Sequence, residues 1–187
     1  MAQSKNNIVT HGLSGKVGDI LVFSQRNGKT IVSKAPKERT GEASAKQKEQ
    51  IAKFQQAVLY AKSALQDPAT KALYNASADS EKGISTYNVA VADLLNAPQI
   101  EEIDLSNYKG NIKDTITIRV TDDFQVAAVK VIIHNADGSL VEQGNAKLQG
   151  IEWVYTATVK NDDLSGDKIT IQATDIPDNL SEKTETL

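Results

Sequence analysis

The spacing of apolar residues changes twice along the chain. Near the start, Ile20-Leu21-Val22-Phe23 and Thr30-Ile31-Val32 flank Arg26-Asn27-Gly28-Lys29. Asn-Gly between two β-branched runs predicts a two-residue hairpin of type I′, because both turn residues must take positive φ. Pairing across such a loop sets Arg26 opposite Lys29, Phe23 opposite Val32 and Leu21 opposite Lys34. One face then carries Leu21, Phe23 and Val32, and the other Ile20, Val22 and Ile31. A two-stranded ribbon is marginal in water and this one is apolar on both faces, so it needs cover on two sides. The chain's own helices are expected on one side. A neighbouring molecule or the chain's own fold is expected on the other.

After Pro36 the period lengthens to that of a helix. Ser44 and Gln47 form a capping box ahead of Ile51, Phe54, Val58, Ala61 and Leu65, which recur every three or four residues. Asp67-Pro68 stops this helix and starts a second, with Asp67 as N-cap and Pro68 at its first position. That second helix carries Ala72, Leu73 and Ala76 and ends before Gly83. A third, with Tyr87, Val91, Leu94 and Leu95, ends at Asn96-Ala97-Pro98. Helices this short hold only by packing together, which predicts a small antiparallel cluster.

From Ile103 onward the period is two. Ile116, Ile118 and Val120 alternate with Thr115, Thr117 and Arg119. Val129, Val131 and Ile133 follow the same pattern, as do Trp153, Tyr155, Ala157 and Val159, and then Ile169, Ile171 and Ala173. Asp137-Gly138 is a second primed-turn signal. Six or seven short strands with frequent turns and no intervening helix predict an antiparallel sandwich. The fold class is therefore α+β: a basic β-hairpin arm over residues 1–40, a cluster of about three helices over 41–98, and an all-β sandwich over 99–187.

Trp153-Val154-Tyr155-Thr156-Ala157, followed by Ile169-Thr170-Ile171-Gln172-Ala173-Thr174-Asp175-Ile176-Pro177-Asp178-Asn179, resembles the last strands of bacterial immunoglobulin-like modules. Those modules often read Ala-x-Asp-x-x-Gly-Asn there, and Asp178 stands at the glycine position. The resemblance implies an immunoglobulin-like sandwich and no particular ligand. Gly15-Lys16-Val17-Gly18-Asp19 with the ribbon, and Tyr87-Asn88-Val89-Ala90-Val91-Ala92-Asp93, look like segments of uncharacterised bacterial proteins in which a ribbon and helices precede such a module. No activity follows from that likeness.

Composition narrows the functional classes. The chain has no cysteine, which excludes disulfides, thiol catalysis and the common zinc sites. Aromatics at 5% leave little for a base-stacking platform or a carbohydrate cleft. No run approaches a membrane span, and the first residues lack the apolar stretch of a secretory signal. The expected location is cytoplasmic, or outside after release without a signal peptide. The formal charge of -3 conceals a gradient: +5 over residues 1–40, zero over 41–100 and -8 over 101–187. A basic head and an acidic tail suit either an anionic ligand or another copy of the same chain.

Catalytic motifs are absent. Gly28-Lys29-Thr30 lacks the upstream glycine of a phosphate-binding loop, since Phe23 stands there, and it lies on a hairpin. Gly15-Lys16-Val17-Gly18 reads as turn glycines feeding a strand in preference to a phosphate nest. His11 and His134 are the only histidines, so no multi-histidine metal centre forms, and no Gly-x-Ser-x-Gly elbow occurs. The best candidate site is acidic. With strand connections alternating between two ends, Asp122, Asp123, Asp175 and Asp178 share one end, near Glu101-Glu102 at the start of the sandwich. Such oxygen ligands suit calcium, although aspartate is also a common turn former. No other cofactor is expected.

The functional expectation is a non-enzymatic structural subunit, a component of a fibre, appendage or phage-like particle. It would form a homo-oligomer or polymer through Leu21, Phe23, Arg26, Lys29, Ile31 and Val32. The alternative is a monomeric adaptor that grips an anionic ligand or nucleic acid through Lys16, Arg26, Lys29, Lys34, Lys37 and Arg39.

Overall fold

The computed structural model describes residues 2–4, 8–26, 28–37 and 41–187. Within them the chain is a mixed α+β protein with three helices and three antiparallel four-stranded sheets.

The hairpin forms in the expected register. Strand β3 (Leu21–Arg26) pairs with β4 (Lys29–Lys34), setting Arg26 opposite Lys29, Phe23 opposite Val32 and Leu21 opposite Lys34. Gly28 takes φ 70°, as the turn requires, and Asn27 lies outside the described residues. The ribbon is wider than two strands. Strand β1 (Ala2–Ser4) adds along β4 and β2 (Gly15–Val17) along β3, giving the order β1-β4-β3-β2. Ile20 falls in the turn that joins β2 to β3, so the second face rests on Val22 and Ile31. Among residues 8–26 and 28–37, only Thr30 and Ala35 are buried. None of the residues of β2, β3 and β4 belongs to either hydrophobic core, so the expected cover by the chain's own helices is missing among the described residues.

Helix α1 spans Ala45–Ala64 and opens with the capping box of Ser44 and Gln47. Helix α2 spans Pro68–Ala76 with Asp67 as N-cap, and α3 spans Thr86–Leu95 with Ser85 as N-cap. Ala57 and Ala61 of α1, Tyr74 of α2, and Ala90 and Val91 of α3 form the small core. Two parts of the predicted apolar stripes lie outside it. Ile51 and Phe54 are 46% and 52% exposed, because the first half of α1 extends beyond its partners. On α2 the inward residue is Tyr74, while Ala72, Leu73 and Ala76 face solvent.

Eight strands follow: β5 (Gln99–Asp104), β6 (Thr115–Thr121), β7 (Val126–His134), β8 (Leu140–Asn145), β9 (Lys147–Gln149), β10 (Glu152–Thr156), β11 (Lys168–Asp175) and β12 (Leu180–Thr186). They make two sheets, β5-β6-β10-β9 and β12-β11-β7-β8. Ile116, Ile118, Val120 and Tyr155 from the first meet Val129, Val131, Ile133, Ile169, Ile171 and Ala173 from the second in one core. Alternation on one face of each strand is what allows the two sheets to close on each other. The β7–β8 turn differs from expectation. Gly138 N-H donates to Asn135 O at 2.8 Å and Gly138 takes φ 86°, while Asp137 keeps negative φ. The glycine therefore follows a type I turn, where one left-handed residue restores the strand direction, and no primed turn forms.

The helices and the two-sheet unit are joined by more than the chain. Phe124 and Ile176, from loops of the two-sheet unit, pack into the helical core, and the Tyr74 and Phe124 rings lie 4.7 Å apart. Asn179 Nδ2 donates to Asp93 O at 3.0 Å and Leu94 O at 3.2 Å, covering carbonyls that the end of α3 leaves open. No helix among the described residues is long and apolar enough to cross a membrane.

Candidate functional site

Two places merit functional reading: the junction under Asn179 and the N-terminal sheet.

At the junction, Asp93 of α3, Asp122 of the β6–β7 loop and Asp175 at the end of β11 each offer one carboxylate oxygen, and the three oxygens lie within 4.8 Å of one another. Local sequence explains each position. Asp93 follows the fully buried Ala90 by three residues, so it shares the inward face of α3 and is only 1% exposed. Asp122 bends the loop by accepting from Phe124 N-H at 3.2 Å. Asp175 closes the turn into β12 by accepting from the Asn179 N-H and side-chain amide, each at 2.7 Å. Asp178 occupies that turn with φ 64°, the left-handed conformation that glycine adopts most readily.

The polar chemistry here is one-sided. Tyr60 and Tyr74 share a hydrogen bond of 2.8 Å, and Tyr74 O-H donates to Asp93 Oδ2 at 2.5 Å. Asp93 Oδ1 and Asp122 Oδ1 are buried with no hydrogen-bond partner. Among the described residues no lysine, arginine or histidine forms an ion pair with any of the three carboxylates. Burial pushes the Asp93 carboxyl up to about 6, and the charges of Asp175, Asp122 and Asp123 add to it against the Tyr74 hydrogen bond. Asp175 is also raised, chiefly by burial. Beside the cluster, Leu95, Asn96, Ala97, Gln99, Thr121, Asp122 and Asp123 line a cleft of about 360 Å³.

The four predicted ligands thus divide. Asp122 and Asp175 come together, whereas Asp123 accepts from Asn96 Nδ2 at 2.6 Å and Asp178 is exposed outside the cluster. Glu101 and Glu102 serve other contacts, accepting from Thr121 and pairing with Arg119. Sequence reading missed Asp93, which takes their place. Its signal was an aspartate three residues after an alanine on an otherwise apolar helix face.

On the N-terminal sheet, Leu21, Phe23, Gln25, Thr30, Val32 and Lys34 share one face, and Val22, Ser24, Arg26, Lys29, Ile31 and Ser33 the other. The six expected contact residues are therefore split between the faces, and none is fully buried. Lys16 is less available than expected, because its Nζ lies 2.6 Å from Asp19 Oδ1. The Gly15–Val17 stretch is itself a strand, with Lys16 opposite Val22, so it forms an edge of the sheet. Arg26, Lys29, Lys34 and Lys37 are exposed, and Arg39 lies outside the described residues. His11 is exposed and His134 half-buried on β7.

No protein family, curated protein or solved structure matches this chain.

Proposed function

We propose that this chain is a non-enzymatic structural subunit that self-associates through its N-terminal sheet. One observation carries the reading: the paired strands β3 and β4 are apolar on both faces, and none of their residues joins a hydrophobic core. An uncovered sheet of this kind gains from burial against another molecule. A second copy of the chain suits it by charge, since residues 1–40 carry +5 and residues 101–187 carry -8. The short edge strands β1 and β2 leave backbone groups open for pairing.

The two-sheet unit is read as an immunoglobulin-like spacer. Its orders β5-β6-β10-β9 and β12-β11-β7-β8 correspond to the A-B-E-D and G-F-C-C′ orders of that architecture, which supports the reading.

Sedimentation velocity across protein concentration and salt tests the proposal. The full chain is expected to associate with rising concentration, and Arg26→Glu with Lys29→Glu to weaken association most at low salt. A chain lacking residues 1–36 is expected to stay folded and monomeric. Continued assembly of that truncated chain would place the contact elsewhere, and its unfolding would assign the sheet to the chain's own core. A full chain that stays monomeric, yet binds DNA or RNA with steep salt dependence, would favour the adaptor role.

A further inference from the structure

Three carboxylates from three separate segments meet where the helices join the two-sheet unit, and among the described residues no lysine, arginine or histidine pairs with any of them. Turn formation accounts for part of the arrangement: Asp122 Oδ2 and both oxygens of Asp175 accept hydrogen bonds from their own loops. It does not account for Asp93. That side chain is 1% exposed, lies in the last turn of α3 where it caps nothing and bends no loop, and keeps Oδ1 buried without a donor. An unsatisfied buried carboxylate oxygen is costly, and a second one on Asp122 adds to the cost. The spacing offers a remedy. Calcium holds oxygen ligands at about 2.3–2.6 Å, so two ligands of one ion can lie up to about 5 Å apart. The three oxygens fall within 4.8 Å of each other, and the cleft beside Asp122 gives access from solvent.

We propose that Asp93, Asp122 and Asp175 bind one calcium ion, which fastens the helical cluster to the two-sheet unit. Asp93 and Asp122 contribute their orphaned oxygens, Asp175 contributes the third carboxylate, and water completes the shell from the cleft. Calcium fits better than magnesium because ligands from three independent segments form an irregular set, which calcium tolerates and an octahedral magnesium shell does not. The chemistry is electrostatic binding alone, with no transfer of electrons or groups. The proposal does not depend on self-association.

The test uses the full chain, stripped with EDTA and dialysed at pH 7.5. Millimolar calcium chloride is expected to raise Tm by roughly 5 °C, and magnesium chloride by clearly less. Asp93→Asn removes a charge but keeps an acceptor for Tyr74. It is expected to melt at or above the metal-free wild type, while calcium affinity falls by about tenfold or more. Asp137→Asn, in the β7–β8 turn, is expected to keep the full response. Terbium, a luminescent stand-in for calcium, gives a second measurement: emission excited through tyrosine is expected, displaced by calcium and largely lost in Tyr74→Phe. Four outcomes would overturn the proposal: no calcium response in the wild type, an undiminished response in Asp93→Asn, a magnesium response equal to that of calcium, or no sensitised terbium emission.

Discussion

The N-terminal sheet and the two-sheet unit are built from similar letters and end up in opposite conditions. Both use β-branched residues, glycine turns and antiparallel pairing. In the two-sheet unit each central strand is apolar on one face, so two such faces close on each other and leave Ile116, Ile118, Ile133, Ile169 and Ile171 fully buried. In the N-terminal sheet the apolar residues are spread over both faces, and Phe23, Val22, Ile31 and Val32 are only half-buried. One-sided patterning therefore yields a core from a single chain, whereas two-sided patterning leaves a sheet whose stability depends on what lies next to it.

The sharpest way to break this contrast is to truncate one large apolar side chain in each region. Ile171→Ala empties a fully buried site and is expected to lower stability by about 4 kcal/mol. Phe23→Ala is expected to change it by less than about 1 kcal/mol in dilute solution, since that side chain is only half-buried and belongs to neither hydrophobic core. Trp153, the single tryptophan, sits in β10 and reports unfolding of the two-sheet unit in both cases. A large loss from Phe23→Ala under conditions where the protein is monomeric would show that the sheet is part of the chain's own core.

A smaller effect separates the regions by pH. Without calcium, the Asp93 carboxyl binds its proton more tightly in the folded chain, at about 6, than at its ordinary 3.8. This contribution is fully present below pH 3.8 and is lost as pH rises through about 6, a swing of about 3 kcal/mol. The groups facing Asp93 are Tyr74 from α2, Asp122 and Asp123 from the β6–β7 loop, and Asp175 from β11; Tyr60 of α1 reaches it through Tyr74. Exposed carboxylates such as Asp67 and Asp114 are held low by hydrogen bonds and act in the opposite direction on acidification. The comparison is therefore made by difference: in EDTA, Asp93→Asn is expected to exceed the wild type in Tm at pH 7.5, with the gap closing towards pH 4. A gap that does not vary with pH would show that Asp93 carries no buried charge.

The smallest effect concerns one turn. Asp178 holds a left-handed φ of 64°, where a side chain is strained and glycine is not. Asp178→Gly is expected to raise stability by about 0.5 kcal/mol, the relief of strain exceeding the added freedom of the unfolded chain. Thermal melts at pH 7 in EDTA measure it, and a lower Tm would mean that the aspartate side chain supports the turn.

How much of this was legible depended on how local each interaction is. The hairpin register followed from Asn27-Gly28 and pair counting, and the starts of α1 and α2 from Ser44, Gln47, Asp67 and Pro68, because turns and caps are settled within a few residues. Alternation likewise located the buried rows of β6, β7 and β11. Strands β1 and β2 escaped notice because three residues are too few to show a period. The exposure of Ile51 and Phe54 was hidden because periodicity assigns a face to a helix but not the length over which a partner covers it. Asp122 and Asp175 were matched by counting strand connections. Asp93 was not, because its meeting with them depends on how α3 docks against loops more than 25 residues away in sequence.

Strand β4 ends at Lys34 and helix α1 begins at Ala45. Eleven residue steps reach at most about 40 Å, whatever path they take. If the sheet of one molecule docks on the next, that tether sets a ceiling on the repeat distance. A filament built this way has a longest possible stride written into its covalent chain, and lengthening the segment between Pro36 and Ser44 would lengthen the stride without touching the docking surface.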